Sequence, residues 1–84
     1  MHASHPDIIL RLKRAEGHLR SVITMIEAGK PCLDLAQQLH AVEAAIATAK
    51  KALIHDHIEH CLEDGPSADI KTVLGELKQL AKYL

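Results

Sequence analysis

Apolar residues recur along the first third of the chain at alternating steps of four and three residues. They are Ile8, Leu12, Ala15, Leu19, Val22 and Ile26. This repeat places them on one face of an α-helix, as in a coiled coil, whereas a strand would show a period of two. Pro6 suits the first turn of a helix, and Gly29 is a typical residue just beyond a helix end. We therefore predict a first helix over about residues 6–28, after a flexible tail of residues 1–5.

A second series with the same steps begins just after the first helix. Its members are Cys32, Leu35, Leu39, Val42, Ile46, Ala49 and Leu53. Two further steps of four reach His57 and Cys61, so both cysteines and this histidine share the apolar face. No residue that breaks a helix occurs before Gly65. The pattern predicts one long helix over residues 32–63.

A shorter apolar pattern follows, and it predicts a third helix over residues 67–83. Ser67 suits its N-cap, and Asp69 suits its first turn, near the positive end of the helix dipole. The fold class is then all-α, a long helical hairpin followed by a short C-terminal helix. Because the chain has only 84 residues, we treat residues 1–84 as one domain.

Composition and charge narrow the function. The longest apolar runs are too short to span a membrane, no signal peptide is visible, and two cysteines do not form a disulfide framework. We therefore expect a cytoplasmic protein with reduced thiols. The net charge is −1, but residues 1–30 hold five basic and three acidic residues, an excess of +2. The basic residues of the first helix are Arg11, Lys13, Arg14 and Arg20. Alone, such a run is typical of a solvated helix face.

The length of the second helix constrains the candidate ligands. Cys32 and His57 are 25 residues apart, which is roughly 37 Å along a straight helix. They cannot bind one metal ion within one chain. An antiparallel dimer would bring Cys32 of one chain close to His57 and Cys61 of the other, and so form two equivalent sites.

The three side chains suit a soft metal ion. His57 and Cys61 lie one helical turn apart, a spacing that lets both bind one ion. Two thiolates and an imidazole favour Cu(I), or Zn(II) with a fourth ligand. Ni(II) or Co(II) would need more nitrogen or oxygen ligands, which His2 and His5 could supply.

Other interpretations of these residues stay open. The cysteines and the histidine could be packing residues, the thiols could sense oxidants, or the chain could buffer metal as a helical protein without a DNA role. The sequence contains no Ser-His-Asp set, glycine-rich phosphate loop or readable carboxylate pair. We therefore expect that it is not an enzyme.

These residues resemble the copper-sensing and nickel/cobalt-sensing repressor family of bacteria, the CsoR/RcnR type. The resemblance rests on R-L-x(4)-G-H-L at residues 11–19 and on the Cys-x(24)-His-x(3)-Cys spacing, and it covers most of residues 6–84. It implies a homodimer that assembles into a dimer of dimers, a homotetramer. Such a repressor binds operator DNA and is released when the inducing metal binds the intersubunit site.

The resemblance also assigns residues. The metal ligands would be Cys32, His57 and Cys61, and Glu76 would orient the histidine from the third helix. The DNA-binding residues would be Arg11, Lys13, Arg14, Arg20, Lys50 and Lys51. Pro31 departs from the tyrosine that often precedes the first cysteine in copper sensors, and His57 argues against the persulfide-sensing branch. Our main hypothesis is a Cu(I)-responsive repressor, with a Ni(II)- or Co(II)-responsive one as the alternative.

Overall fold

The chain folds into three helices, as seen in a computed structural model that describes residues 5–63 and 69–84, and side chains over 6–60 and 69–84. They are α1 (His5–Glu27), α2 (Cys32–Glu63) and α3 (Ile70–Ala81). The described part of the chain contains no strand, and the all-α prediction is confirmed. The radius of gyration is 17.4 Å. A compact chain of this length would have about 12 Å, so the fold is elongated.

A tight turn joins α1 to α2 and makes them a hairpin. Gly29 has a φ of 73°, the left-handed conformation that glycine adopts without a steric penalty. The amide of Lys30 donates to the Met25 carbonyl, and that of Gly29 donates to the Ile26 carbonyl. This pair of bonds is a Schellman motif, which satisfies carbonyls at the end of α1. The glycine therefore ends α1, as the sequence predicted.

The predicted apolar face of each long helix divides into two rows with a spacing of seven residues. One row is buried between α1 and α2. It consists of Ile8, Ala15 and Val22 in α1 and of Val42 and Ala49 in α2. The other rows are between 39% and 52% exposed, and we call them the open row of α1 (Leu12, Leu19, Ile26) and the open row of α2 (Leu39, Ile46, Leu53). The hairpin thus buries half of the apolar pattern and leaves the other half uncovered.

The helix α3 begins later than predicted. Its N-cap is Asp69, whose side chain accepts hydrogen bonds from the Lys71 amide and the Thr72 hydroxyl. The prediction that Asp69 lies inside the first turn was wrong, because its carboxylate satisfies the amides that the first turn leaves open. Ser67, the predicted N-cap, lies outside the described residues.

At the other end of the chain, α1 begins at His5, which the sequence had placed in the tail. This start leaves Pro6 in the first turn, where its missing amide hydrogen costs no hydrogen bond. Within the described residues, the helices lack the combination of length and apolar character that a membrane span requires.

Candidate functional site

The three predicted metal ligands all belong to α2, which runs without a break from Cys32 to Glu63. Cys32 is the first residue of this helix, and its thiol is free and exposed. His57 is half-buried near the other end, 25 positions later, a separation of roughly 37 Å along the helix. Cys61 lies one turn after His57, and its side chain is outside the described residues. One unbroken helix therefore separates Cys32 from His57 within the chain.

A contact between α2 and α3 holds the histidine of this set. His57 Nε2 lies 2.5 Å from Glu76 Oε1, and the two residues are 19 positions apart. Because a carboxylate only accepts, Nε2 is the nitrogen that carries the proton and donates. The side chain of Glu76 is about half exposed. The structure thus brings together two residues that the family resemblance assigns to one site, the predicted ligand and the carboxylate predicted to orient it.

Two further histidines near His57 also interact with carboxylates. His60 Nδ1 lies 3.3 Å from Asp56 Oδ1, and Asp56 is buried. His55 Nδ1 lies 3.5 Å from Glu59 Oε1, and both of these side chains are well exposed. The pairing of Asp56 with His60 was not predicted from the sequence. Their i, i+4 spacing was a signal that could have found it.

Among the described side chains, no group of three His, Cys, Asp or Glu residues is placed to hold a metal ion. His2 and the side chain of His5 lie outside the described residues, so the possible extra ligands stay predictions. The donor chemistry of the predicted set fits a metal nonetheless. Two thiols and an imidazole are soft and borderline donors, and an imidazole that donates to a carboxylate is typical of metal-binding histidines.

The predicted ligands share a face with the open row of α2. An ideal helix drifts by about 20° for every seven residues, so Cys32, the open row and His57 fall within a strip about 60° wide. Cys32 and His57 lie at the two ends of this strip. Any surface that covers the open row would therefore also contact both ends of the candidate site.

The basic residues divide between different faces of the two long helices. Arg11 and Arg14 line a groove of about 360 Å³ between α1 and α2, which we call the narrow groove. Its other lining residues are Ala15, His18, Ala45 and Thr48. Thr48 and Lys51 line a second groove of about 600 Å³, the wide groove. Thr48 lines both grooves, so the two grooves adjoin. Lys51 lines the wide groove and not the narrow one.

The other predicted basic residues lie elsewhere. Lys13 lines a surface depression with Ile9, Leu12 and Glu16, close to the open row of α1. Arg20 Nη2 lies 3.8 Å from Glu16 Oε1, and both side chains are exposed. Lys50 is exposed and lies about 200° around α2 from Thr48. The sequence grouped six basic residues, whereas the helical geometry separates three of them from the grooves.

A hydrogen bond between the long helices was not predicted from the sequence. His18 Nε2 lies 2.6 Å from Gln38 Oε1, and the contact is partly buried. His18 follows Arg14 by one turn, which places it on the groove side of α1. No local spacing in the sequence signals this hydrogen bond, since Gln38 is 20 residues away from His18.

Comparisons with known proteins agree with this architecture. Residues 4–83 match the family described as metal-sensitive transcriptional repressor. The copper-sensing transcriptional repressor RicR of Mycobacterium tuberculosis is 39% identical over 66 residues, 73% of this chain and 69% of RicR. The copper-sensing transcriptional repressor CsoR of Bacillus subtilis is 37% identical over 73 residues, 86% of this chain and 72% of CsoR. The solved structure of the nickel-responsive transcriptional regulator InrS has a TM-score of 0.85 and 30% identity, and the match covers 100% of this chain and 97% of that chain.

Proposed function

Because the chain belongs to the metal-sensitive transcriptional repressor family, we propose that it binds operator DNA and is released when Cu(I) binds a site shared by two copies. The protein is a metal-sensing transcriptional repressor, and the members of its family are repressors and not enzymes. We place it in the cytoplasm, where bacterial operator DNA lies. The specific metal, the shared site and the assembly are the parts that we propose.

The observation that carries the shared site is the continuity of α2. Cys32 and His57 lie on one side of an unbroken helix at opposite ends. An antiparallel partner packed on the open row of α2 would place its own His57 and Cys61 beside Cys32. The same packing would cover Leu39, Ile46 and Leu53, each more than 40% exposed in the single chain. Apolar burial and ligand assembly thus favour the same arrangement of two copies.

Glu76 would act on the metal through His57. Its carboxylate accepts a hydrogen bond from Nε2–H, so coordination falls to Nδ1, and the ring is held in one orientation. When bound, the ion would supply bonds that draw Cys32, His57 and Cys61 together. Glu76 belongs to α3. The position of α3 against α2 would therefore depend on whether His57 binds the metal. This contact would carry the ligand state to the rest of the chain.

Cu(I) is favoured because the ligand set contains two thiolates and one imidazole, which suit a soft ion with three ligands. The matched relatives RicR and CsoR are copper-sensing repressors. The alternative is a Ni(II)- or Co(II)-responsive repressor in which His2 and His5 add ligands. The likeness to the nickel-responsive InrS over the whole chain supports that alternative. Zn(II) would require a fourth ligand in either case.

Regulation follows from thermodynamic linkage between metal binding and DNA binding. If metal lowers the affinity for DNA by some factor, DNA must lower the affinity for metal by the same factor. Coupling of this kind typically amounts to about 5- to 150-fold. A homotetramer would bring four copies of the basic residues of α1 to one DNA duplex, and this local charge would offset a net charge near zero.

The test is a fluorescence-anisotropy titration of DNA with the metal-free, Cu(I)-loaded and Ni(II)-loaded protein. The duplex carries the intergenic region upstream of the protein's own gene or of a neighbouring metal-transport gene. We expect Cu(I) to weaken DNA binding, and Cys32→Ala to abolish that effect while leaving metal-free binding intact. His2→Ala with His5→Ala would abolish a nickel response without affecting a copper response. DNA affinity that neither ion changes would contradict the proposal.

A further inference from the structure

Ile54 is a buried residue of α2 that the packing of α1 does not explain. It is 5% exposed, although it lies outside the buried row that contains Val42 and Ala49. Because an α-helix turns by about 100° per residue, Ile54 points about 120° away from Val42 and about 140° away from Ala49. α1 covers the side of α2 on which Val42 and Ala49 lie, so another part of the fold must bury Ile54.

The helix α3 contacts α2 on both sides of Ile54. Glu76 Oε1 lies 2.5 Å from Nε2 of His57, which follows Ile54 by three residues. Leu84 lines the wide groove together with Lys51, which precedes Ile54 by three residues. As the chain runs forward along α3, its contacts therefore run backward along α2, and the two helices are antiparallel across Ile54.

Leu80 lies midway between the two contacts, so the antiparallel direction places it opposite Ile54. Leu80 is half-buried, which agrees with this position. The contacting residues recur every four positions on α3 and every three positions on α2. Rows with these two spacings interdigitate in a common class of helix packing. α3 thus covers Ile54 and lies along one row of α2, which we call the crossing row (His57, Ile54, Lys51).

Backbone hydrogen bonds fix Leu84 to the end of α3. After Ala81, three successive amides donate to carbonyls three residues earlier, at 3.2, 3.0 and 3.4 Å. The donors are the amides of Lys82, Tyr83 and Leu84. These bonds continue α3 as a tight turn, so Leu84 moves together with the helix. Leu84 is 60% exposed, and the wide groove covers part of the rest.

The two ends of the crossing row belong to different parts of the proposed function. His57 is a predicted metal ligand, and the family resemblance assigns Lys51 to DNA binding. A metal that binds the imidazole of His57 would shift the hydrogen bond to Glu76 and so displace α3. Since α3 rests on Ile54 between the two ends, a displacement of Glu76 would also move Leu84 beside Lys51. Small movements of packed helices against each other are a common form of such transitions.

We propose that Ile54, Leu80 and Leu84 are positioning residues that couple metal binding at His57 to DNA binding through α3. They contact neither the metal nor the DNA. The inference rests on the proposed function, because it presumes that the protein binds both. It adds to the contact of Glu76 with His57 three apolar residues and a defined path along the crossing row.

The coupling factor of matched variants tests this proposal. It is the ratio of the DNA affinity of the metal-free protein to that of the protein at saturating Cu(I), or at saturating Ni(II) if the wild type responds to that ion. Both affinities are measured by anisotropy with the same intergenic duplex, and the metal affinity without DNA is measured with a competing chelator. The test variants are Leu84→Ala and Ile54→Val. Tyr83→Ala is the control, because Tyr83 is 62% exposed and does not line the wide groove.

We expect Leu84→Ala to lower the coupling factor about 2- to 30-fold, the range for residues that couple two sites without contacting either ligand. Its metal-free DNA affinity and its metal affinity without DNA should equal those of the wild type. Ile54→Val should lower the factor less, because it removes one methylene group. Tyr83→Ala should keep it, and Leu84→Met, which retains a long apolar side chain, should restore most of it.

The double variant of Leu84→Ala with Glu76→Ala tests whether both residues act through α3. We expect the same coupling factor as for Glu76→Ala alone, because that change already disconnects α3 from His57. Losses that multiply in the double variant would place Leu84 outside this path and overturn the proposal.

Two other results would also overturn it. One is a coupling factor of Leu84→Ala equal to that of Tyr83→Ala. The other is a loss of helix content by circular dichroism, or of both affinities, in Leu84→Ala and Ile54→Val, which would assign these residues a structural role only. If neither ion changes the DNA affinity of the wild type, the proposed function itself fails.

Discussion

A substitution at Ile46 tests the antiparallel pairing of α2 with its copy. In an antiparallel pair, the numbers of any two residues that face each other across the interface have nearly the same sum. If Cys32 of one chain faces His57 and Cys61 of the other, this sum lies between 89 and 93. The two-fold axis then passes close to residue 46, and Ile46 of the open row faces its own copy. Ile46→Asp would place two carboxylates side by side at the centre of the interface. In the single chain Ile46 is 45% exposed, so the hairpin itself should tolerate the change.

The expected loss can be estimated from this geometry. Complete burial of an isoleucine side chain stabilises by about 1.5–3 kcal/mol, so covering the exposed 45% contributes about 1 kcal/mol in each chain. Two carboxylates about 6 Å apart repel by about 3 kcal/mol at an effective dielectric constant of about 20. The dimer would lose about 5 kcal/mol in total. Its dissociation constant would rise by more than about a thousandfold, at about 1.4 kcal/mol per tenfold change.

Sedimentation equilibrium measures this change directly, and circular dichroism reports whether the helices persist. Ala44→Asp is the matched control, because Ala44 is exposed and lies about 200° around α2 from Ile46. The control should associate like the wild type. An Ile46→Asp protein that associates as tightly as the control would refute the antiparallel pairing.

Three further predictions concern the candidate site and α3. Glu76→Ala should weaken Cu(I) binding about 10- to 100-fold, measured by competition with a Cu(I) chelator, because the imidazole of His57 loses its acceptor. Its effect on the melting temperature should be small, since half-exposed pairs contribute about 0–1 kcal/mol; Gln79→Ala on the same helix is the control. Asp69→Ala should cost about 1 kcal/mol in thermal unfolding and loosen α3, because the N-cap carboxylate is removed; Asp69→Asn, which keeps an acceptor, should restore most of this stability. Cys32→Ala should bind DNA like the wild type yet not respond to Cu(I); a normal response would exclude Cys32 as a ligand.

The sequence predicted the helices well because their signals are local. The repeat of three and four residues placed both long helices, and Gly29 marked the end of α1 through its own backbone conformation. The start of α3 was predicted wrongly, because Ser67 and Asp69 both have side chains that can cap a helix and the prediction gave the cap to Ser67. The cap belongs to Asp69, whose carboxylate accepts from two positions in the first turn.

Features that depend on packing between helices could not be read from the pattern. The repeat does not tell which row of apolar residues the hairpin buries, since the residues of both rows are apolar and recur with the same spacing. The pairing of His18 with Gln38 joins positions 20 residues apart, and no local spacing specifies it. The contact of His57 with Glu76 entered only through the family resemblance. Likewise, the basic residues lie on different faces because of their angular positions around the helices. The number of charges in a segment does not show these positions.

The central claim is that each metal site takes Cys32 from one chain and His57 with Cys61 from another. Complementation between two inactive variants tests it. Cys32→Ala and Cys61→Ala each destroy every shared site in their own homodimers. In a mixed dimer, however, the intact Cys32 of one chain meets the intact His57 and Cys61 of the other, so one of the two sites is complete.

The two variants are unfolded together in equal amounts, refolded, and titrated with Cu(I) against a chelator strong enough that only complete sites compete. Random pairing makes half of the dimers mixed, and each mixed dimer holds one complete site of two. We therefore predict one-quarter of the wild-type Cu(I) capacity in the mixture and none in either variant alone. A mixture that binds no more Cu(I) than the separate variants would contradict a site shared between chains.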